Sequence, residues 1–369
     1  MKSSYAAAVM PAPLEPLRVE QVAAPVLEPG SALLHITCSE VCGTDVHIHH
    51  GRLSGVPYPI IPGHVSVGIV AELPAPLHDA EGRPVREGDT VTFLDIHGTC
   101  NRCYYCIVAK QSTRCPHRRV YGITYGARDG LLGGWAEAIW MRPGVHLMPL
   151  PAGLDAETFI GGGCGLVTAM HAVERAGLRL GATVAVLGAG PVGQSAVALS
   201  ALGGAEQVIV IGDPPSRLDF ARRMGATEVL GLDVPAEERT SRVRSLTGGH
   251  GVDIVIEAAG APDAVPQALD LVRDGGRVVV CGQYTDNGDV RIHPHWQVNR
   301  KHVEIHGCWG SDFSHLHRAV RVAARFGDRV PWREMIGAEY GLADANRALE
   351  AVANREVTKA VIKPDLPPQ

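Results

Sequence analysis

The pattern of apolar and polar positions changes partway along the chain. Over roughly the first 150 residues the apolar runs are short and broken by Gly and Pro. "SALLHITCSE" (31–40), "GIVAEL" (68–73), "DTVTFL" (89–94) and "WAEAIWM" (135–141) each predict a strand. Turn-forming "EPG", "REGD" and "LLGG" separate them, so this part predicts a compact β-rich unit. From residue 155 the spacing becomes helical: in "DAETFIGGGCGLVTAMHAVERAGL", Leu166, Met170 and Val173 fall on one stripe. "TVAVLGAG", "QVIVIGD", "VDIVIEAAG" and "RVVVCGQ" then predict buried strands. "PVGQSAVALSALGG", "PSRLDFARRMGA" and "APDAVPQALDLVRDGG" predict the helices between them. Strand and helix alternating in this way predict parallel βαβ units, with a sheet covered on both faces. After about residue 310 the segments shorten again, and "TKAVIKP" (358–364) predicts a strand that returns to the first unit.

Composition sharpens this picture without redirecting it. The 369 residues suit two domains, and 46 % hydrophobic residues suffice for a substantial core. The net charge of −5 gives no general reason to expect binding to nucleic acid or a membrane surface. There is no signal-peptide pattern and no run approaching about 18 apolar residues. A cytoplasmic protein is expected. Nine cysteines, odd in number and clustered, favour metal over disulfides.

Two motifs carry chemistry on their own. Gly188, Gly190 and Gly193 form GxGxxG directly after a strand and at the start of a helix, and Asp213 ends the next strand. The glycines allow backbone to approach a pyrophosphate, Pro191 and Val192 open the helix whose N–H groups face it, and the acid suits a ribose 2′-hydroxyl. A carboxylate at 213 repels a 2′-phosphate, and Arg217 is the nearest basic residue, so NAD is expected over NADP. The second motif is Cys100-x2-Cys103-x2-Cys106-x8-Cys115, which suits a closed tetrahedral zinc site. Such a site is structural and leaves no position for substrate. A zinc-ribbon nucleic-acid module is the competing explanation, opposed by the acidic balance and the adjacent dinucleotide motif.

A looser constellation remains: "CSEVCGTDVHIHHG" (38–51), "PGHVSVG" (62–68) and "GGGCG" (161–165). Two cysteines and a histidine make an open catalytic zinc set, for which alcohol dehydrogenase is the general example. With "CGTD", "PGH", the cysteine cluster, "GGGCG", "LGAGPVG" and "EAAG" in this order, the chain resembles the zinc-dependent alcohol dehydrogenases of the medium-chain dehydrogenase/reductase superfamily. The resemblance covers nearly the whole chain. It implies a GroES-like β-rich catalytic domain (1–160 and 310–369), a Rossmann domain with a doubly wound parallel sheet (161–309), and a homodimer or homotetramer. It implies two zinc ions per chain and NAD. Cys42, His64 and Cys164 match the catalytic zinc ligands; Cys100, Cys103, Cys106 and Cys115 match the structural ones, with a last gap one residue longer than the commonest spacing. Thr44 matches a hydroxyl that touches the substrate oxygen, His47 a proton-relay histidine, Asp45 the acid that orients the zinc-binding histidine, and Lys359 a basic residue near the cofactor pyrophosphate. Most zinc-dependent relatives carry glutamate where this chain has Val65.

The implied reaction interconverts an alcohol and its carbonyl compound, with zinc acidifying the alcohol, a proton leaving through Thr44 and the cofactor ribose to His47, and hydride passing to the nicotinamide. A secondary or cyclic alcohol is expected, in a pocket built partly from "GRLSGVPYP" (51–59) and around Trp309. Two alternatives stand beside it: a zinc-free reductase on the same fold, and a zinc-stabilised NAD-binding protein without turnover.

Overall fold

A computed structural model of the chain describes residues 2–367. The chain divides into two compact units. One holds the described residues up to Gly163, Asp312–Gly327 and those from Trp332 onward; the other holds Cys164–Ser311 and Asp328–Pro331.

The first unit is built on a seven-stranded sheet. Its order runs Leu147–Pro149, Thr90–Phe93, Ser66–Glu72, Ala32–Val41, Lys359–Ile362 and Ile336–Tyr340, with Ala138–Met141 paired to Ala32–Val41 off that path. The strand Ala32–Val41 is central and almost wholly buried, so its apolar residues do not alternate cleanly with polar ones. Leu34, Ile36, Val70, Val91, Phe93 and Ile139 form one core cluster of this unit. Val41, Ile48, Ile60, Trp135, Leu349 and Ile362 belong to another. The strand from "TKAVIKP" does return to this sheet: Val361 pairs with Glu40, antiparallel to Ala32–Val41.

The second unit holds a six-stranded, wholly parallel sheet. Its order is Glu228–Gly231, Gln207–Gly212, Thr183–Leu187, Val252–Glu257, Val272–Val280 and Glu304–Gly307. The strand order reverses direction at Thr183–Leu187, which is where doubly wound folds take their nucleotide. Val208, Ile209, Val210 and Ile211 are all buried, as expected for strands covered on both faces. Helix Pro215–Met224 stops at Gly225 in the left-handed region, φ 113°.

Three elements differ from the sequence expectation. The helix in "APDAVPQALDLVRDGG" ends at Leu271, and "VRDGG" joins the following strand. The tail is not made only of short segments: Phe313–Phe326 is a 14-residue helix, capped by Asp312 accepting from the Ser314 N–H. The 155–178 helix, observed as Ala156–Ala176, is broken at Gly163, whose φ of 47° and ψ of −140° are not helical. No helix among the described residues is long and apolar enough to cross a membrane.

Candidate metal centres and dinucleotide site

Cys42 ends the strand Ala32–Val41 and caps the helix Gly43–His49. The sequence pattern did not predict this short helix. Its signal is a capping box with cysteine in place of serine, followed by Asp45 three residues on. The Thr44 N–H donates to Cys42 Sγ at 3.3 Å, and the Cys42 N–H donates to Asp45 Oδ2 at 2.9 Å. Ile48, fully buried, anchors the helix in the core. Thr44 and His47, one helical turn apart, are both half-buried.

His64 is buried, and its Nε2 lies 3.9 Å from Cys42 Sγ. Cys164 follows Gly163 by a peptide bond, so the break in the helix sets where its thiol goes. Cys42, His64 and Cys164 each offer one ligand atom, and these atoms all lie within 4.8 Å of one another. Burial pulls the His64 pKa down, but the charges of Cys42, Asp45 and Asp95 outweigh burial and push it up to about 10. Two thiols and an imidazole with ligand atoms this close make the donor set of an open zinc site, so the residues fit zinc. Cys164 is partly exposed, as an open site requires.

The expected link between Asp45 and His64 is not formed. Asp45 Oδ2 is engaged by the Cys42 N–H, while Asp45 Oδ1 and His64 Nδ1 are both buried without a partner. The hydrogen bond that Asp45 makes is to the main chain of Cys42. Burial, then the neighbouring Cys42, hold its carboxyl well above the usual range. Asp95 was not anticipated. Burial raises its pKa, and its charge acts on His64. Nothing in the spacing of "FLDIHG" marks it.

The four-cysteine cluster closes as its spacing predicts. The sulfurs of Cys103 and Cys106 lie 3.6 Å apart, Cys100 and Cys115 3.7 Å, and Cys103 and Cys115 4.0 Å. A tetrahedron with Zn–S bonds of about 2.3 Å has S···S edges of about 3.8 Å, so the quartet fits zinc. The thiols cannot all ionise unaided. The Arg102 N–H holds Cys100 down at about 6, whereas burial and the Cys103 sulfur push Cys106 up to about 12. None of the nine cysteines forms a disulfide.

The glycine motif fits a dinucleotide for reasons that differ by position. A Cβ on Gly193 would overlap Gly188 O, and one on Gly188, at φ 105°, would meet Ala258 O at 2.7 Å. These two glycines serve close backbone packing. At Gly190 nothing lies within 4 Å, which leaves open space at the cap of the helix Pro191–Leu202. Pro191 and Val192 open that helix, and no side chain caps it. Asp213 follows the strand Gln207–Gly212 and is exposed. Arg217 is anchored through its carbonyl, which accepts from Gln194 Nε2 at 2.7 Å.

Lys359 lies in the interior. It is fully buried, and its ammonium is satisfied by Glu40 Oε1 at 2.7 Å, Ile160 O at 2.9 Å and Gly162 O at 3.3 Å. Its donors are occupied and its side chain has no exposed surface. Trp309 stacks on Tyr284 with ring centroids 5.9 Å apart and donates Nε1 to Tyr284 O.

Comparison with known proteins agrees with this architecture. A family model described as an alcohol dehydrogenase GroES-like domain matches residues 28–152, and one described as a zinc-binding dehydrogenase matches 191–325. The chain is 35 % identical to the 5-exo-hydroxycamphor dehydrogenase of Pseudomonas putida over 366 residues, covering 96 % of this chain and 98 % of that one. An alcohol dehydrogenase of Thermotoga maritima superposes with a TM-score of 0.94 at 31 % identity, covering 98 % of this chain and all of that one. A zinc-binding dehydrogenase of Sinorhizobium meliloti, solved bound to NADP, superposes with a TM-score of 0.84 at 26 % identity, covering 98 % of this chain and all of that one. The chain belongs to the zinc-binding alcohol dehydrogenases of the medium-chain dehydrogenase/reductase superfamily.

Proposed function

We propose that the chain is a zinc-dependent, NAD-linked oxidoreductase that interconverts a secondary or cyclic alcohol and its ketone. The observation that carries this is the approach of the Cys42, His64 and Cys164 ligand atoms to within 4.8 Å of one another. These three would hold a catalytic zinc, and Cys100, Cys103, Cys106 and Cys115 a structural one. When bound, the catalytic zinc supplies Lewis acidity at the oxygen of an alcohol or carbonyl.

The chain's own residues do the rest. Thr44 takes a hydrogen bond from the substrate hydroxyl and passes its proton on toward His47. Burial, then the positive charge of Arg52, hold the His47 pKa below 6.5, so the ring is neutral and ready to accept at pH 7. Its Nδ1 is buried and has no protein partner. The Gly188–Gly193 turn and the first N–H groups of the helix Pro191–Leu202 receive the cofactor pyrophosphate. Asp213 accepts from the ribose 2′-hydroxyl, which favours NAD. The relative that acts on hydroxycamphor, an alcohol on a ring carbon, supports a cyclic substrate. A homodimer or homotetramer in the cytoplasm completes the proposal; sedimentation measures the oligomer.

Metal counting and one variant test this function. Two zinc ions per chain are expected, and Cys42→Ala should lose one zinc and alcohol-dependent NADH formation while keeping NAD binding. Unchanged turnover in Cys42→Ala would refute the assignment. A panel of alcohols that includes polyols and cyclic secondary alcohols then identifies the substrate class.

A further inference from the structure

Glu40 and Lys359 are opposite charges with no side-chain exposure, 2.7 Å apart. A buried pair of this kind carries a desolvation cost that apolar residues would avoid, so its position calls for an explanation. Three contacts supply one. Lys359 Nζ also donates to Ile160 O and Gly162 O, the carbonyls at the end of the helical run that starts at Ala156. A cation there satisfies carbonyls that a broken helix leaves without partners. The break itself is Gly163, and Glu40 fills the space beside it: a Cβ on Gly163 would overlap Glu40 Oε2 and approach Lys359 Nζ to 2.7 Å. At φ 47° and ψ −140° a side chain would be strained there in any case.

The three proposed ligand segments meet around this pair. Cys164 is the residue after Gly163. Cys42 lies two residues beyond Glu40 on the same stretch of chain. His64 precedes Val65, whose carbonyl accepts the Glu40 N–H at 3.0 Å. Trp135 Nε1 holds the Glu40 carbonyl at 3.0 Å, so the main chain there is fixed as well.

We propose that Glu40 and Lys359 are positioning residues for the metal site: their buried ion pair holds the bend at Gly163 and so fixes the Cys164 thiol relative to Cys42 and His64. This rests on the assignment of those three residues as zinc ligands. Neither residue is among the three candidate ligands. The pair acts as partners behind metal ligands do, by setting ligand orientation.

The test uses the full chain as Glu40→Asp, Glu40→Gln, Lys359→Met and the double variant Glu40→Leu/Lys359→Met, with Cys164→Ser as reference. The readouts are zinc per chain, the rate of zinc release to a chelator, and the absorption of the cobalt-substituted protein. The four-cysteine site serves as internal control. Each variant should release one of its two zinc ions about tenfold faster or more, as loss of a ligand's partner does elsewhere. The second zinc should stay as in the parent. The cobalt bands should move toward those of Cys164→Ser, and kcat should fall more than KM changes. Single variants that strand a charge are liable to misfold. In that event the double variant, which leaves no lone charge, and Glu40→Asp, which keeps the charge and shortens its reach, decide the matter by the same readouts. If folded variants lose only thermal stability, with release rate and cobalt spectrum unchanged, the pair is a core contact and the proposal is overturned. A parent chain that holds one zinc, unaltered by Cys164→Ser, would instead remove the zinc assignment itself, and the proposal with it.

Discussion

Cys42 and Asp45 cap one another's turn: the Cys42 N–H donates to Asp45 Oδ2 at 2.9 Å, and the Cys42 thiol stands at the cap of the helix that carries Asp45. A proposed metal ligand is thus held by its own helix. Asp45→Ala should leave the Cys42 N–H buried and unpaired, at a cost of about 1–3 kcal/mol. It should also weaken zinc retention about tenfold or more. Asp45→Asn keeps an acceptor of the same shape and should lose less on both counts. Denaturation midpoints and zinc content check this, and equal losses in the two variants would contradict it.

The His47 pKa is lowered, first by burial and then by Arg52. The neutral ring accepts the proton in alcohol oxidation, so activity is present above its pKa and lost as pH falls through it. The acid limb of kcat/KM should therefore lie below pH 6.5. Arg52→Ala removes a positive charge, raises the His47 pKa and should move that limb to higher pH. His47→Gln should lower kcat about 100-fold. A pH profile that ignores both substitutions would exclude the relay.

Asp213 is exposed after the strand Gln207–Gly212, where a ribose would lie. A hydrogen bond to a carboxylate is worth about 1.5–3 kcal/mol. Asp213→Ala should therefore raise KM for NAD about 10- to 100-fold and narrow its advantage over NADP. An unchanged ratio of the two cofactors would place the selectivity elsewhere.

Val65 stands beside His64 without charge, where most zinc-dependent relatives carry glutamate, and its carbonyl is bonded to Glu40. Val65→Glu should change kcat while leaving zinc content as in the parent, if the three proposed ligands suffice to hold the metal. A large change in zinc content would show that a carboxylate there competes for the metal.

Much of the site was legible because its signals are local. The four cysteines span 16 residues, and chain connectivity alone brings their sulfurs together once a metal draws them in. The glycine motif was legible for the same reason. Phe313–Phe326 was not legible because its buried face, His315, Leu316, Ala319, Val320 and Ala323, is mostly small or polar and interrupted by arginines. The partners of Asp45 and Lys359 were not legible for another reason. Family position says which residue stands near a site, but a carboxylate or ammonium bonds whichever partner is closest, and those partners were Cys42 and Glu40.

By itself the sequence determined the two-part α/β organisation, the cysteine quartet, the dinucleotide turn and the identity of the three candidate catalytic ligands. Periodicity and short-range spacing specify the first three, while the three candidate ligands follow from the family resemblance. Only the tertiary structure decided that Lys359 pairs with Glu40, more than 300 residues away in the chain, and that this pair sits against the bend before Cys164. The physical reason is that strand pairing sets this register: Lys359–Ile362 lies against Ala32–Val41, and two charges buried by that pairing had to find each other.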